Sequence, residues 1–275
     1  MRAAPHLRPR RGRLLTAPAT TRAPVLDLRD RRVVVSGASR GIGAATARLL
    51  ARAGADVVVG YRSRESDAEA VVAAVRAVGR RAFAHAADLA TPAGCDALVA
   101  AAATAFGGVD AVVINHGVWP AEEVPVDAMD DARWQRTMRE NADSMFWLAR
   151  AAARALAPGG RIVMVSSTAA QRGEALHADY AASKGAMIAF VKSLAVELAG
   201  RDVTVNAVAP GWVDTEMTDA AMRDGGRERI ARTIPVGRVA SADDVAGPIA
   251  FLCSPLARHV TGEILNVNGG SVLCG

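Results

Sequence analysis

Lysine is almost missing from this chain: its 275 residues contain Lys184 and Lys192 against 31 arginines. With abundant alanine and glycine, that bias fits a GC-rich coding sequence, which concerns the genome and not the function. Aromatic residues are scarce, at 4%, although 51% of the chain is hydrophobic, so alanine, valine and leucine must fill the core. The three cysteines, Cys95, Cys253 and Cys274, are scattered. They have no metal-ligand spacing and leave an odd count, which argues against a disulfide framework or a metal centre and suits a reducing cytoplasm. No apolar window approaches a membrane span or a secretory core. Acid is absent from residues 1–26, which hold six arginines (Arg2, Arg8, Arg10, Arg11, Arg13, Arg22). That leaves 27 basic against 28 acidic residues elsewhere, so the net charge of +5 belongs to this segment. A near-neutral body has no electrostatic footprint for nucleic acid. Residues 1–26 also carry four prolines and no apolar periodicity, and are expected to be a disordered extension. A transit peptide or a mis-chosen start would look similar; an inert extension is the favoured reading.

What is present from residue 27 onward reads as one α/β domain, 27–275. Apolar runs at Arg32–Ser36, Asp56–Gly60, Arg81–His85, Asp110–Ile114, Arg161–Ser166, Val203–Val208 and Ile264–Val267 are mostly continuous rather than alternating. Continuous runs mark parallel strands buried on both faces. Helical patterns lie between them, at about 42–53, 66–78, 93–106, 130–156, 179–199 and 243–253. The alternation implies a doubly wound sheet. Residues 211–236 lack a strand pattern and are expected to form a long irregular lid.

The first strand runs into Ser36-Gly37-Ala38-Ser39-Arg40-Gly41-Ile42-Gly43. Glycines there permit a tight turn and close backbone approach, and the N-terminus of the following helix offers free N–H groups to a pyrophosphate. A dinucleotide site that prefers NAD usually ends its second strand with an acid for the ribose 2′-hydroxyl. This chain reads Gly60-Tyr61-Arg62-Ser63-Arg64, with no acid before Glu65. Arg40 and Arg62 would pair with a 2′-phosphate, so NADP(H) is the expected cofactor, with NAD(H) open. Either arginine is equally readable as a solvated surface group.

Tyr180 and Lys184 are four residues apart on one helix and share a face. A nearby ammonium stabilises a phenolate and is expected to lower the tyrosine pKa from about 10 toward neutrality. Such a tyrosine can donate a proton to a carbonyl oxygen or accept one from an alcohol. Ser167 ends the fifth strand, Asn115-His116-Gly117 the fourth, and Pro210-Gly211-Trp212-Val213-Asp214-Thr215 the sixth. All lie at the carboxyl edge, where doubly wound sheets bind ligands.

These motifs together resemble the short-chain dehydrogenase/reductase family over residues 30–273. The resemblance implies an extended Rossmann fold with seven parallel strands. It also implies roles: Tyr180 as acid/base, Lys184 on the nicotinamide ribose, Ser167 polarising the substrate oxygen, and Asn141 holding a water behind the lysine. Gly37, Ser39, Gly41, Ile42 and Gly43 would form the phosphate turn. Asp88 and Leu89 would meet adenine, and Asn115 and Gly117 the adenosine ribose. Pro210, Gly211, Val213 and Thr215 would border the nicotinamide. His116 replaces the family's usual alanine and is read as tolerated beside the cofactor. Trp119 either walls the substrate pocket or packs under its loop.

The subfamily pattern is similar to 3-oxoacyl-carrier-protein reductases, which implies a 3-oxoacyl thioester or similar ketone as substrate and a homotetramer built on helices 130–156 and 179–199. Val196 stands where a carrier-binding basic residue is expected, and Ala157-Pro158-Gly159-Gly160 reads as a short uncharged loop; both weaken a carrier-protein partner. A free alcohol, sugar or polyketide substrate stays open. So does a non-catalytic NADP-binding regulator, which would have no need of Ser167, Tyr180, Lys184 and Asn141 together.

Overall fold

Valine-rich strands organise the molecule. In β1 (Arg32–Val35) the alternating pleat sends Val33 and Val35 to one face of the sheet and Val34 to the other, and all three are fully buried. A strand that buries both faces needs a helical layer on each side. A computed structural model of the chain describes residues 26–273 and shows that arrangement. Seven parallel strands, β1, β2 (Asp56–Tyr61), β3 (Ala82–Ala86), β4 (Val109–Ile114), β5 (Leu156–Val165), β6 (Thr204–Pro210) and β7 (Ile264–Val267), lie in the order 3-2-1-4-5-6-7. On one face pack α1 (Gly41–Arg52), α2 (Glu65–Ala77) and, counted in chain order, α10 (Ala242–Cys253), through residues such as Leu50, Val71 and Ile249. On the other pack α3 (Pro92–Phe106), α5 (Ser144–Ala155) and α7 (Ala178–Leu198), through Leu98, Leu148 and Met187. The chain is a doubly wound, Rossmann-like domain. The order reverses between β1 and β4, so a crevice opens at their carboxyl ends.

Three expectations need correction. The helix expected over 130–156 is α4 (Asp131–Met138), a π-helical segment (Arg139–Asp143) and α5. The extra residue of a π turn is invisible to a search for 3.6-residue periodicity. Residues 157–160 are not a loop: β5 begins at Leu156, beside Val109, and the pairing with β4 shifts register before Ala111. Residues 211–236 are not wholly irregular, since α6 (Ala169–Arg172) has two short counterparts there, α8 (Asp219–Met222) and α9 (Gly226–Thr233).

The segment expected to be disordered, residues 1–26, lies outside the described residues except for Leu26, which packs against the core. Cys95 and Cys253 are free, and burial pushes both thiols up to about 12, which makes them poor nucleophiles. Cys274 is also outside the described residues. Among the described residues no helix is long and apolar enough to cross a membrane.

Candidate active site

The crevice is a cleft of about 320 Å³ that runs from the glycine turn past the ends of β2, β4, β5 and β6. At its dinucleotide end, Gly37 and Gly41 have φ of 60° and 53°. A Cβ on Gly37 would sit 3.0 Å from His116 Cα, and one on Gly43 would sit 2.3 Å from Gly37 O, so side chains are excluded where the turn folds back on itself. Arg40 precedes α1 without capping it, and the first turn of the helix holds no acid. The free N–H groups there therefore suit a pyrophosphate. The chain's own residues thus fit a dinucleotide.

Most residues expected to bind cofactor line this cleft: Gly37, Ser39, Arg40, Gly41, Ile42, Arg62, Asp88, Leu89, Asn115, Gly117, Pro210, Gly211, Val213 and Thr215. Gly43 packs into the turn instead. The Asn115 amide nitrogen donates to the carbonyls of Ser36 and Gly37 at 3.1 and 3.0 Å, and so braces the turn. The arginines are not free, contrary to the simplest reading of the sequence. Arg62 pairs with Glu140 at 2.8 Å, while Arg40 and Arg64 both grip Glu216 at 2.7 Å. Glu140, Arg64 and Glu216 carry no local sequence signal for these roles, because each pair joins distant segments.

His116 is a structural bridge. Its Nδ1 lies 2.8 Å from Ser36 Oγ and its Nε2 lies 2.9 Å from Ser144 Oγ. Ser144 Oγ also lies 2.7 Å from the Glu140 carbonyl and Ser36 Oγ 3.2 Å from the Val113 carbonyl, so a neutral imidazole is satisfied with Nε2–H donating to Ser144 and Nδ1 accepting from Ser36 across the shorter of the two Ser36 contacts. Burial, with the positive charges of Lys184 and Arg62, holds this imidazole down at about 3.

At the other end of the cleft stand Ser167, Tyr180 and Lys184. Ser167 stands beside Tyr180 in the cleft wall, and its hydroxyl favours the phenolate. Lys184 Nζ lies 6.0 Å from the Tyr180 ring centre and donates to the Val165 carbonyl at 2.9 Å. The expected lowering of the tyrosine pKa is not found. Burial pushes Tyr180 up to about 12, Ser167 pulls it down and the charge of Glu174 raises it further. Burial likewise lowers Lys184 to about 8. Asn141 sits in the π segment, fully buried behind the lysine. Its Oδ1 accepts from Val118 N at 2.8 Å, and its Nδ2 donates to Val118 O and Ser183 Oγ, both at 3.0 Å. A Cβ on Gly117 would stand 2.8 Å from Asn141 Oδ1 and 3.3 Å from Lys184 Nζ, so these groups converge on one point.

The substrate end is walled by Trp119, Trp212, Glu174 and Met217. Trp119 is therefore a pocket wall, stacked on His177 at 5.0 Å and edge-on to Trp212 at 5.9 Å. Glu174, seven residues after Ser167, passed unnoticed in the sequence, although its place on the segment between Ser167 and Tyr180 was a signal.

Comparison with known proteins agrees with this geometry. The family model described as enoyl-(acyl carrier protein) reductase matches residues 37–271. The 3-oxoacyl-[acyl-carrier-protein] reductase of Vibrio cholerae is 39% identical over 247 residues, covering 89% of this chain and 98% of that protein. L-rhamnose 1-dehydrogenase (NAD(P)(+)) of Azotobacter vinelandii is 40% identical over 248 residues, covering 88% and 96%. The crystal structure of a short-chain dehydrogenase from Burkholderia cenocepacia in complex with NADP superposes with a TM-score of 0.84 at 39% identity, covering 89% and 98%. The chain is an oxidoreductase belonging to the short-chain dehydrogenase/reductase family and resembles its 3-oxoacyl-carrier-protein reductase-like members.

Proposed function

We propose that this chain is an NADP(H)-dependent carbonyl reductase and alcohol dehydrogenase. The observation that carries the reading is that Ser167, Tyr180 and Lys184 line one end of a cleft whose other end is an uncapped helix N-terminus. When bound, the reduced dinucleotide supplies a hydride to the carbonyl carbon. Ser167 donates a hydrogen bond to the carbonyl oxygen and fixes its position. Tyr180, whose high pKa keeps it protonated at neutral pH, delivers the proton to that oxygen. Ketone, hydride and proton together give the alcohol. Lys184 holds the nicotinamide ribose, and Asn141, anchored on Val118, positions the lysine side of the proton path.

NADP(H) is favoured over NAD(H) because β2 ends without an acid and Arg40, Arg62 and Arg64 ring that end of the cleft. A 2′-phosphate would exchange for Glu216 between Arg40 and Arg64. The NADP complex of the Burkholderia relative supports this choice. For substrate, the Vibrio cholerae relative supports a 3-oxoacyl thioester or similar ketone. Exposed, apolar Val196 favours instead a free alcohol or sugar over a carrier-linked one, as the rhamnose dehydrogenase relative illustrates. The complete Ser167, Tyr180, Lys184 and Asn141 set speaks against a non-catalytic regulator. Partly exposed Trp134 and Phe146 on α4 and α5, with Val196 on α7, support a homotetramer through those helices. The unpaired, buried Cys95 and Cys253 are in keeping with a reducing, cytoplasmic setting.

The reading is tested by nicotinamide absorbance with acetoacetyl thioesters, β-keto esters, diketones and keto-sugars, using NADPH and NADH in parallel. Turnover of at least one ketone, faster with NADPH, is expected. Tight NADPH binding without turnover of any carbonyl would contradict it.

A further inference from the structure

Glu174 is an acceptor in a place where an acyl chain would need apolar walls. The segment that carries it turns through two left-handed positions, Gly173 at φ 76° and Leu176 at φ 66°. Leucine disfavours that region, and a strained residue beside an active site is held there by its surroundings. Here the Leu176 carbonyl accepts from Val124 N at 3.0 Å. On this turn the Glu174 side chain lines the cleft with Tyr180, and its charge raises the phenol's pKa.

The carboxylate's neighbours are fixed. Trp119 lines the cleft beside it and its indole favours the charged form, His177 Nδ1 lies 3.9 Å away, and Arg172 lends positive charge. Burial, the largest influence, and Asp179 together hold the carboxyl above the usual carboxylate range, against the opposing pull of His177, Trp119 and Arg172 that favours its ionised form. An ionised carboxylate accepts about four hydrogen bonds and donates none, so these neighbours leave acceptor capacity for a ligand. The flanking Trp119 and Trp212 faces give flat apolar walls at 83° to each other.

We propose that Glu174 selects substrates bearing a hydroxyl near the reacting carbonyl, as in hydroxy ketones, vicinal diols and sugars, with the carbon skeleton packed against the wall that the touching Trp119 and Trp212 rings form. The inference rests on the reading that Ser167 and Tyr180 hold the carbonyl oxygen. A plain acyl chain would strip water from the carboxylate and return no donor, which is the costly side of polar burial.

The test compares wild type, Glu174→Leu and Glu174→Gln with NADPH on matched pairs, acetoin and 1-hydroxy-2-butanone each against 2-butanone, with acetoacetyl thioester alongside. A neighbouring hydroxyl also activates a carbonyl, so the readout is the change in the hydroxylated-to-plain kcat/KM ratio between enzymes. That ratio should fall by about 10- to 100-fold in Glu174→Leu, the range for a hydrogen bond to a charged group, and by less in Glu174→Gln, which keeps an acceptor. An unchanged ratio overturns the proposal. Wild-type turnover confined to thioesters or plain ketones overturns it too, while leaving the reductase reading intact. No turnover of any carbonyl overturns both.

Discussion

His116 ties the cofactor turn to the π segment, and its titration should be measurable in the stability of the whole protein. The folded chain keeps the imidazole neutral down to about pH 3, because both ring nitrogens are committed and the site is buried. The unfolded chain titrates near 6.5. Between those values the unfolded state binds the extra proton, so stability is complete above about 6.5 and is lost as pH falls. At pH 5 the loss is about 1.5 pKa units at 1.36 kcal/mol each, or about 2 kcal/mol. The folded value lies so far below 5 that it does not enter the result. His116→Ala removes the titrating group and leaves Ser36 and Ser144 short of partners, a cost that does not depend on pH in this range. Urea unfolding of both proteins at pH 7 and pH 5 should therefore show the wild-type advantage shrinking by about 2 kcal/mol. Every other group is common to both proteins and cancels. Parallel pH dependence in the two would refute a neutral, doubly bonded His116.

Glu216→Gln should tighten NADPH by about two- to fivefold, with little change for NADH, in a fluorescence titration; the gain is small because the Arg40 and Arg64 pairs are half-exposed, and it should shrink as salt is added. Equal effects on both cofactors would remove the phosphate site from those arginines. Gly117→Ala should cost about 1–3 kcal/mol of stability by overpacking, and should depress turnover, since its Cβ meets Asn141 and Lys184 at 2.8 and 3.3 Å. Differential scanning and NADPH turnover check the two effects separately. The kcat/KM profile for reduction reports groups of the free enzyme. It should be flat through neutrality and fall above about 8, where Lys184 loses its proton, because Tyr180 keeps its own until about 12.

The strands were readable because a valine run buried on both faces has one structural meaning; each observed strand overlaps its expected range. Helix starts fall within one residue of expectation at α10, where Ser241 and Asp244 form a capping box, and at α3, which Thr91 caps. What stayed hidden was geometry that composition does not encode. Asn141 follows from the resemblance, but its π segment does not, since five residues are too few to show a period of their own. α9 escaped because Gly226–Thr233 is strongly polar and shows little apolar stripe. The pairing of Arg62 with Glu140 spans 78 residues, and that of Arg40 with Glu216 spans 176. Only the folded topology brings such charges together. The tyrosine pKa was misjudged for a related reason: the i, i+4 spacing sets Lys184 near Tyr180, but the lysine turns its Nζ to Val165, and burial decides the phenol.

The central claim is that Tyr180 delivers the proton while the rest of the site binds the dinucleotide. Stopped-flow NADPH oxidation by Tyr180→Phe, with NADPH affinity measured on the same preparation, tests it most directly. The predicted result is a rate lower by about 10²- to 10⁴-fold, with NADPH affinity within about twofold of wild type. Ketone reduction within about tenfold of wild type would show that another group supplies the proton.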